Sequence, residues 1–342
     1  MNIKNLVRKN IEDLNPYSSA RDEFKKSDNY IYLDANESSY DNGYNRYPDN
    51  KHQELISLIS KYRNINKDEI VLCNGTDELI DLVIRVFCEP GKDKIITLNP
   101  TYGMYEVSAK INNVNNVKID LDHNFQIDIK KVKSQFDDLT KIIFITSPNN
   151  PTGNCFNKDS IIEIIESFNG IVFIDEAYVD YSNNSLLSKI NVYQNLIISQ
   201  TFSKAMGLAG IRLGVGYSNN TLISYLKKVK PPYNVNSLTE KKAIENIASS
   251  YLDKSQIKET ILERNKLEKS LEDLPFIKKV YPSDSNFLLV KVDNANKVYK
   301  HLLKNGIVVR NRSQIKGCEE CLRITVGTPN QNNLLINVLK RI

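Results

Sequence analysis

The sequence predicts an α/β protein: a large domain on a mainly parallel seven-stranded sheet, followed by a smaller α+β domain. Two observations lead there. Through the middle of the chain, short Ile/Val-rich runs alternate with helical patterns, as in βαβ crossovers. After Lys230-Pro231-Pro232 that alternation gives way to a polar, Glu- and Lys-rich helical stretch and then to mixed strands and helices. A length of 342 residues accommodates both parts.

Taken in order, residues 1–30 are expected to form an N-terminal arm associated with the smaller domain; 31–235 form the large domain and 236–342 the small one. Strands are expected at 70–73, 94–98, 117–121, 141–146, 171–175, 195–200 and 212–217. These runs are short and nearly continuous in apolar character, which suits strands covered on both faces. Helices are expected between them, among others at 77–87, 102–111 and 158–168. The Asn-rich stretch 112–116 reads as a turn. In the second part a helical stretch covers 237–274, followed by a strand at 287–292, a helix at 295–305, strands at 307–310 and 321–326, and a final helix.

Composition excludes several function classes. Hydrophobic residues make up 41% and charged residues 25%, and the net charge of +5 is spread through the chain rather than gathered in a basic stripe. Nucleic acid is therefore not an expected partner. No apolar run reaches the roughly 18 residues that cross a bilayer, and the N-terminus lacks the apolar core of a signal peptide. Five scattered cysteines fit a reducing cytoplasm better than a disulfide framework. Cys318 and Cys321 form a single CxxC with no second pair, and three separated histidines leave little for a metal site or a His-dependent triad. No metal is expected.

The chemistry must rest on other side chains, and polar residues gather where strands end. TFSKAMGLAGIRLG (201–214) follows an apolar strand, so Lys204 falls at the carboxyl edge where α/β sheets bind ligands. A lysine among glycines, with Ser203 beside it and Arg212 downstream, suits an aldehyde cofactor with a phosphate tail. The lysine supplies the imine, and the hydroxyl and guanidinium hold the phosphate. A solvated lysine in a turn is the plain alternative for that segment alone. IVFIDEAY (171–178) ends a second strand at Asp175, with Tyr178 three residues on. A buried carboxylate keeps a pyridine nitrogen protonated, and a tyrosine hydroxyl can bond the ring's phenolic oxygen; a helix-capping Asp is equally open at this point.

SPNNPTG (147–153) is a rigid polar loop from which Asn150 can donate to the same oxygen, or simply a turn. NGTDE (74–78) opens a helix after a strand, and such a glycine-containing turn offers free backbone N–H groups to a phosphate, though short glycine turns are common. In NPTYGMY (99–105), Tyr102 can stack on a ring. Five strand ends each present a group suited to a different part of one molecule.

These motifs resemble those of the fold-type-I pyridoxal-phosphate enzymes, within the class I and II aminotransferases. The likeness runs from LNPYSSAR (14–21) to LRITVGT (322–328). More narrowly, NRYP (45–48), NPTYGMY, GLAGIR (207–212) and LRITVGT are similar to the histidinol-phosphate aminotransferases. The resemblance implies pyridoxal 5′-phosphate on Lys204, Asp175 at the ring nitrogen, Asn150 and Tyr178 at the ring oxygen, and Tyr102 on the ring. It places Gly75, Thr76, Asp77, Ser203 and Arg212 around the phosphate and ring. Tyr47 resembles a tyrosine that reaches the neighbouring subunit's cofactor phosphate, which implies an obligate homodimer with shared sites. For the substrate it implies Arg323 at the anionic group, with Tyr17, Asn36 and Arg310 assisting. Thr76 stands where serine is frequent and Phe287 where tyrosine is frequent.

The implied reaction is amino transfer between glutamate and imidazole-acetol phosphate, giving histidinol phosphate, as in histidine biosynthesis. An aromatic aminotransferase or a threonine-phosphate decarboxylase would share the cofactor residues. A ligand-binding regulator on the same fold would ordinarily carry an added DNA-binding domain.

Overall fold

The computed structural model describes residues 3–17, 30–249 and 254–342. Residues 18–21 of the N-terminal motif lie outside that set. A short α1 (Lys9–Glu12) and α2 (Gln53–Arg63) precede the first strand. Then follow β1 (Ile70–Asn74), α3 (Thr76–Phe87), β2 (Lys94–Asn99), α4 (Met104–Ile111), β3 (Asn115–Asp120), α5 (Ile129–Lys133) and β4 (Thr140–Thr146). The run continues with α6 (Lys158–Ser167), β5 (Ile171–Asp175), β6 (Leu196–Thr201), β7 (Leu213–Tyr217) and α7 (Asn220–Val229).

These strands form one seven-stranded sheet in the order β1-β7-β6-β5-β4-β2-β3. Pairing is parallel from β6 through β5, β4 and β2 to β3, while β7 runs antiparallel to both its neighbours. Alternation along each strand divides two cores. Ile143, Ile145, Val172 and Ile174 face one side with Leu55 and Ile59 of α2 and Ile161 and Ile164 of α6. Phe144, Ile171 and Phe173 face the other, under Leu79, Val83, Tyr105 and Leu226 of α3, α4 and α7. This period of two, hydrophobic on both faces, is why the strands read as continuous apolar runs.

Beyond α7 lie α8 (Ser237–Ser249), α9 (Ser255–Glu272), β8 (Ile277–Val280), β9 (Phe287–Val292), α10 (Ala295–Lys304), β10 (Arg310–Asn311), β11 (Cys321–Thr325) and α11 (Pro329–Leu339). The four strands form an antiparallel sheet, β10-β11-β9-β8, whose core takes Leu267 and Leu271 of α9 and Val298 and Leu302 of α10. Among the described residues no helix is long and apolar enough to cross a membrane.

Several expectations shift. The helical stretch 237–274 is two helices, and they serve different cores: Ala243 of α8 belongs to the large sheet's core, with Ile244 and Ile247 packed against it, whereas α9 covers the small sheet. The strand expected at 307–310 shrinks to Arg310–Asn311. Gly306 ends α10 with φ of 75°, and residues 307–309 are spent bringing the chain to the sheet edge. Arg212 is not the first residue of a strand; it stands just before β7 in the left-handed region, φ 56°. β3 starts at Asn115, inside the stretch expected to be a turn.

Candidate active site

Five of the large sheet's strands end at one pocket of about 350 Å³, lined by Thr76, Asp77, Tyr102, Thr146, Asn150 and Asp175, and farther round by Tyr178, Thr201, Ser203, Lys204 and Arg212. The opposite wall comes from the small sheet: Arg310, Arg312 and Arg323.

Asp175 is the best-determined group in it. It is only 3% exposed, and the donors bonded to it are all neutral. The Tyr105 hydroxyl donates to Oδ2 at 3.0 Å, the Ser199 hydroxyl to Oδ1 at 3.0 Å and the Ala177 N–H to Oδ1 at 3.1 Å. Burial raises the carboxyl's pKa, and those three donors pull it back. A buried carboxylate with no cation bonded to it suits a positively charged ring nitrogen. Tyr105 is itself fully buried, stacked on Phe144 at 4.7 Å, and its hydroxyl also bonds Thr146 Oγ1 at 2.6 Å.

At the other end the N-terminus of α3 is left bare. Where α6 and α11 begin, Asn157 and Thr328 cap the helix with their side chains, but Gly75 at the start of α3 has none. Its backbone sits at φ 77°, and a Cβ there would lie 2.8 Å from Arg212 Nη2. Gly214 packs as closely: a Cβ would meet the Gly75 carbonyl carbon and the Thr76 nitrogen at 2.5 Å. Two glycines thus bring β7, the helix start and the Arg212 guanidinium together as a cradle for an anion. Asp77 steadies it, accepting from the Tyr102 hydroxyl at 2.9 Å and from Arg212 Nη2 at 3.5 Å. Cradle and buried carboxylate lie in one pocket, so the residues present fit a phosphate-bearing pyridine.

Lys204 opens into this pocket, its Nζ 5.6 Å from the centre of the Tyr178 ring. Burial lowers its pKa, and the Arg323 and Arg212 cations lower it further against the pull of Asp175. Burial also pushes the Tyr178 hydroxyl up to about 12, so it remains a neutral donor at ordinary pH. Asn150 Nδ2 reaches the Tyr178 oxygen at 3.5 Å, and Asn150 Oδ1 accepts from Arg323 Nη1. Phe287, where tyrosine is frequent, packs edge-on to Tyr178 at 5.2 Å and beneath the Arg323 guanidinium at 5.2 Å.

The fold therefore gathers Lys204, Asp175, Tyr178, Thr76, Asp77, Tyr102, Asn150, Ser203, Arg212, Arg310 and Arg323 at one pocket, with Gly75 directly behind Arg212. Three expected residues lie elsewhere in their own chain. Tyr47 is 52% exposed and stacks on Tyr233 at 4.5 Å; Tyr17 is 73% exposed; Asn36 is exposed with φ 56°. The sequence reading missed Arg312, Thr146, Thr201 and the residues behind Asp175. Tyr105 reads as an ordinary core aromatic, although it lies only three residues after Tyr102, in the first turn of α4. Among the described residues no group of His, Cys, Asp and Glu could hold a metal ion.

Fold and site together define the class: a fold-type-I enzyme that holds a phosphate-tailed cofactor against a lysine. The chain belongs to the aminotransferases of class I and II, whose family model matches residues 19–339. Within that family it is similar to the histidinol-phosphate aminotransferase of Flavobacterium psychrophilum, 50% identical over 100% of this chain and 99% of that one. The enzyme of that name from Parabacteroides distasonis is also 50% identical, over 99% of each chain. The crystal structure of the Clostridium acetobutylicum histidinol-phosphate aminotransferase superposes with a TM-score of 0.78 at 30% identity, covering 86% of this chain and 90% of that one.

Proposed function

We propose that this chain catalyses amino transfer between histidinol phosphate and 2-oxoglutarate, the histidinol-phosphate aminotransferase reaction of histidine biosynthesis. The observation that carries it is one pocket with Lys204, buried Asp175 and the bare α3 N-terminus on one side, and an arginine wall on the other. The cofactor is pyridoxal 5′-phosphate, which when bound supplies an electron sink for the pair left as the substrate's α-hydrogen is removed.

The protein does the rest. The Gly75–Thr76 backbone, Ser203 and Arg212 would hold the cofactor's phosphate, and Asp175 would keep a proton on the ring nitrogen. Asn150 and Tyr178 would donate to the ring oxygen, and Tyr102 would pack against the ring. Lys204 would hold the cofactor and, as a free amine, would be the base that takes the α-proton. Its depressed pKa keeps a larger share of the amine neutral for that task. Arg323, with Arg310, grips the substrate's anionic group through paired N–H donors, which accept a carboxylate or a phosphate equally. One pocket can then serve both glutamate and a phosphorylated acceptor.

The enzyme is a homodimer with shared sites in this reading. Tyr30, Ile31, Leu33, Tyr40, Tyr44 and Tyr47 stand exposed along one segment, a surface suited to a second copy. Five free cysteines suit the cytoplasm.

The test is amino transfer from glutamate with purified, cofactor-saturated protein. Imidazole-acetol phosphate is expected to be the preferred acceptor over phenylpyruvate, and Lys204→Ala to abolish turnover. Equal or better use of phenylpyruvate would replace the reading with an aromatic aminotransferase, and carbon dioxide release from threonine phosphate with a decarboxylase.

A further inference from the structure

The small-sheet wall holds more positive charge than one anionic group requires. Arg310 and Arg323 face each other in the register of β10 and β11. Arg312 follows two residues later, and its N–H still donates to the Cys321 carbonyl at 2.9 Å, so the edge pairing continues to it. At that spacing its side chain shares Arg310's side of the edge. All three arginines line the pocket.

The Arg312 side chain is half-buried, yet its Nε is a buried donor with no hydrogen-bond partner. Leaving such a donor unmet costs about 1–3 kcal/mol, so a native protein keeps one for a reason. Among the described residues, no acidic side chain pairs with any of the three arginines. Apart from the two arginines, the ionisable groups that act on Arg312 are the Cys318 thiol and the Tyr178 hydroxyl. Burial pushes both up to about 12, so both stay neutral. Burial and the two neighbouring cations together bring Arg312 itself down to about 10.

We propose that Arg312 is a third anion-binding arm of the substrate pocket, meeting the second negative charge of a doubly ionised phosphate group. This rests on the proposed function and adds to it a residue that selects phosphate over carboxylate. Arg323 and Arg310 can grip a single carboxylate bidentately; a phosphate dianion has a further oxygen and a further charge, and Arg312 offers the unused donor.

The experiment compares the holoenzyme with Arg312→Gln and Arg312→Lys. Two quantities are read: KM and kcat for the phosphorylated acceptor and for glutamate, and calorimetric binding of inorganic phosphate at a pH where it is a dianion. In Arg312→Gln the acceptor KM is expected to rise about tenfold and phosphate affinity to fall about as much, the size of one charge-assisted hydrogen bond. The glutamate KM should move far less, and Arg312→Lys should fall between. Thermal unfolding should show no loss, since Nε has no partner to lose. Unchanged acceptor KM and phosphate affinity would overturn the proposal, as would an equal penalty for glutamate. Wild-type enzyme that binds phosphate through Arg312 but does not aminate the phosphorylated acceptor would sink the proposed function and leave the arm standing. If the Gln variant does not fold, the Lys variant decides on the same readings.

Discussion

Lys204 suits the proposed chemistry because its surroundings work against its charge. Burial comes first, then the Arg323 and Arg212 cations, all favouring the neutral amine. The sign follows directly: each neighbouring cation disfavours the protonated form, so removing one lets the lysine hold its proton to higher pH. Arg323→Gln is therefore expected to move the midpoint of Lys204 reactivity upward. The measurement is the pH dependence of Lys204 modification by an aldehyde and borohydride in cofactor-free protein. A midpoint that stays put or falls would show that Arg323 does not act on the amine. The same scale shows what a sequence can reveal. Lys204 and Asp175 were legible because each stands at or just past the end of an apolar strand, where a polar group is conspicuous, and Arg212 because it immediately precedes one. Arg312 was not, since an arginine in a polar segment ordinarily reads as solvated, and only coordinates reveal a buried Nε without a partner. Tyr105 was hidden for the opposite reason: it looks like core, and it is core, but its hydroxyl ends on Asp175.

At the scale of elements, the cradle depends on how closely β7 approaches the start of α3. Gly214 permits that approach, because any Cβ would press on backbone atoms of Gly75 and Thr76 rather than on a side chain able to swing away. Gly214→Ala is expected to push the α3 N-terminus outward, lowering stability by about 1–3 kcal/mol, the usual range for overpacking. Cofactor affinity should weaken with it. Chemical denaturation and titration of the apoprotein with cofactor would measure both; full retention of affinity would remove this glycine from the site's construction. The strands of the large sheet were readable within a residue or two because hydrophobic faces on both sides leave a continuous signal. β8 was not, since Lys278 and Lys279 in its centre are exposed and break the pattern. The antiparallel sense of β7 was equally invisible: strand direction is a property of pairing, which a local pattern does not record.

For the whole molecule, the three expected residues that stand away from the pocket are those whose assigned roles reach across subunits or belong to the N-terminal segment. If Tyr47 serves the neighbouring site, then Lys204→Ala chains mixed with Tyr47→Ala chains and allowed to exchange form a hybrid. One of its two sites pairs an intact Lys204 with an intact Tyr47. Activity of the mixture is expected to exceed the mean of the two parents, by an amount that grows with exchange. A mixture that never exceeds that mean would confine each site to one chain.

The meeting of two sheets at one pocket also bears on how such a protein can change over evolutionary time. Everything that suits the cofactor lies at the ends of the large sheet's strands, locked by buried hydroxyl contacts and by glycines that tolerate no added atom. Of the three arginines on the facing wall, Arg310 lies on a strand of only two residues, Arg312 just past its end and Arg323 on the neighbouring strand. Substitutions at Arg310 and Arg312 can alter which molecule is accepted while Arg323, whose charge also acts on Lys204, stays in place. A lineage could drift from one amino donor or acceptor to another by trading positions around 310–312, with Arg323 and the strand-end residues of the large sheet kept.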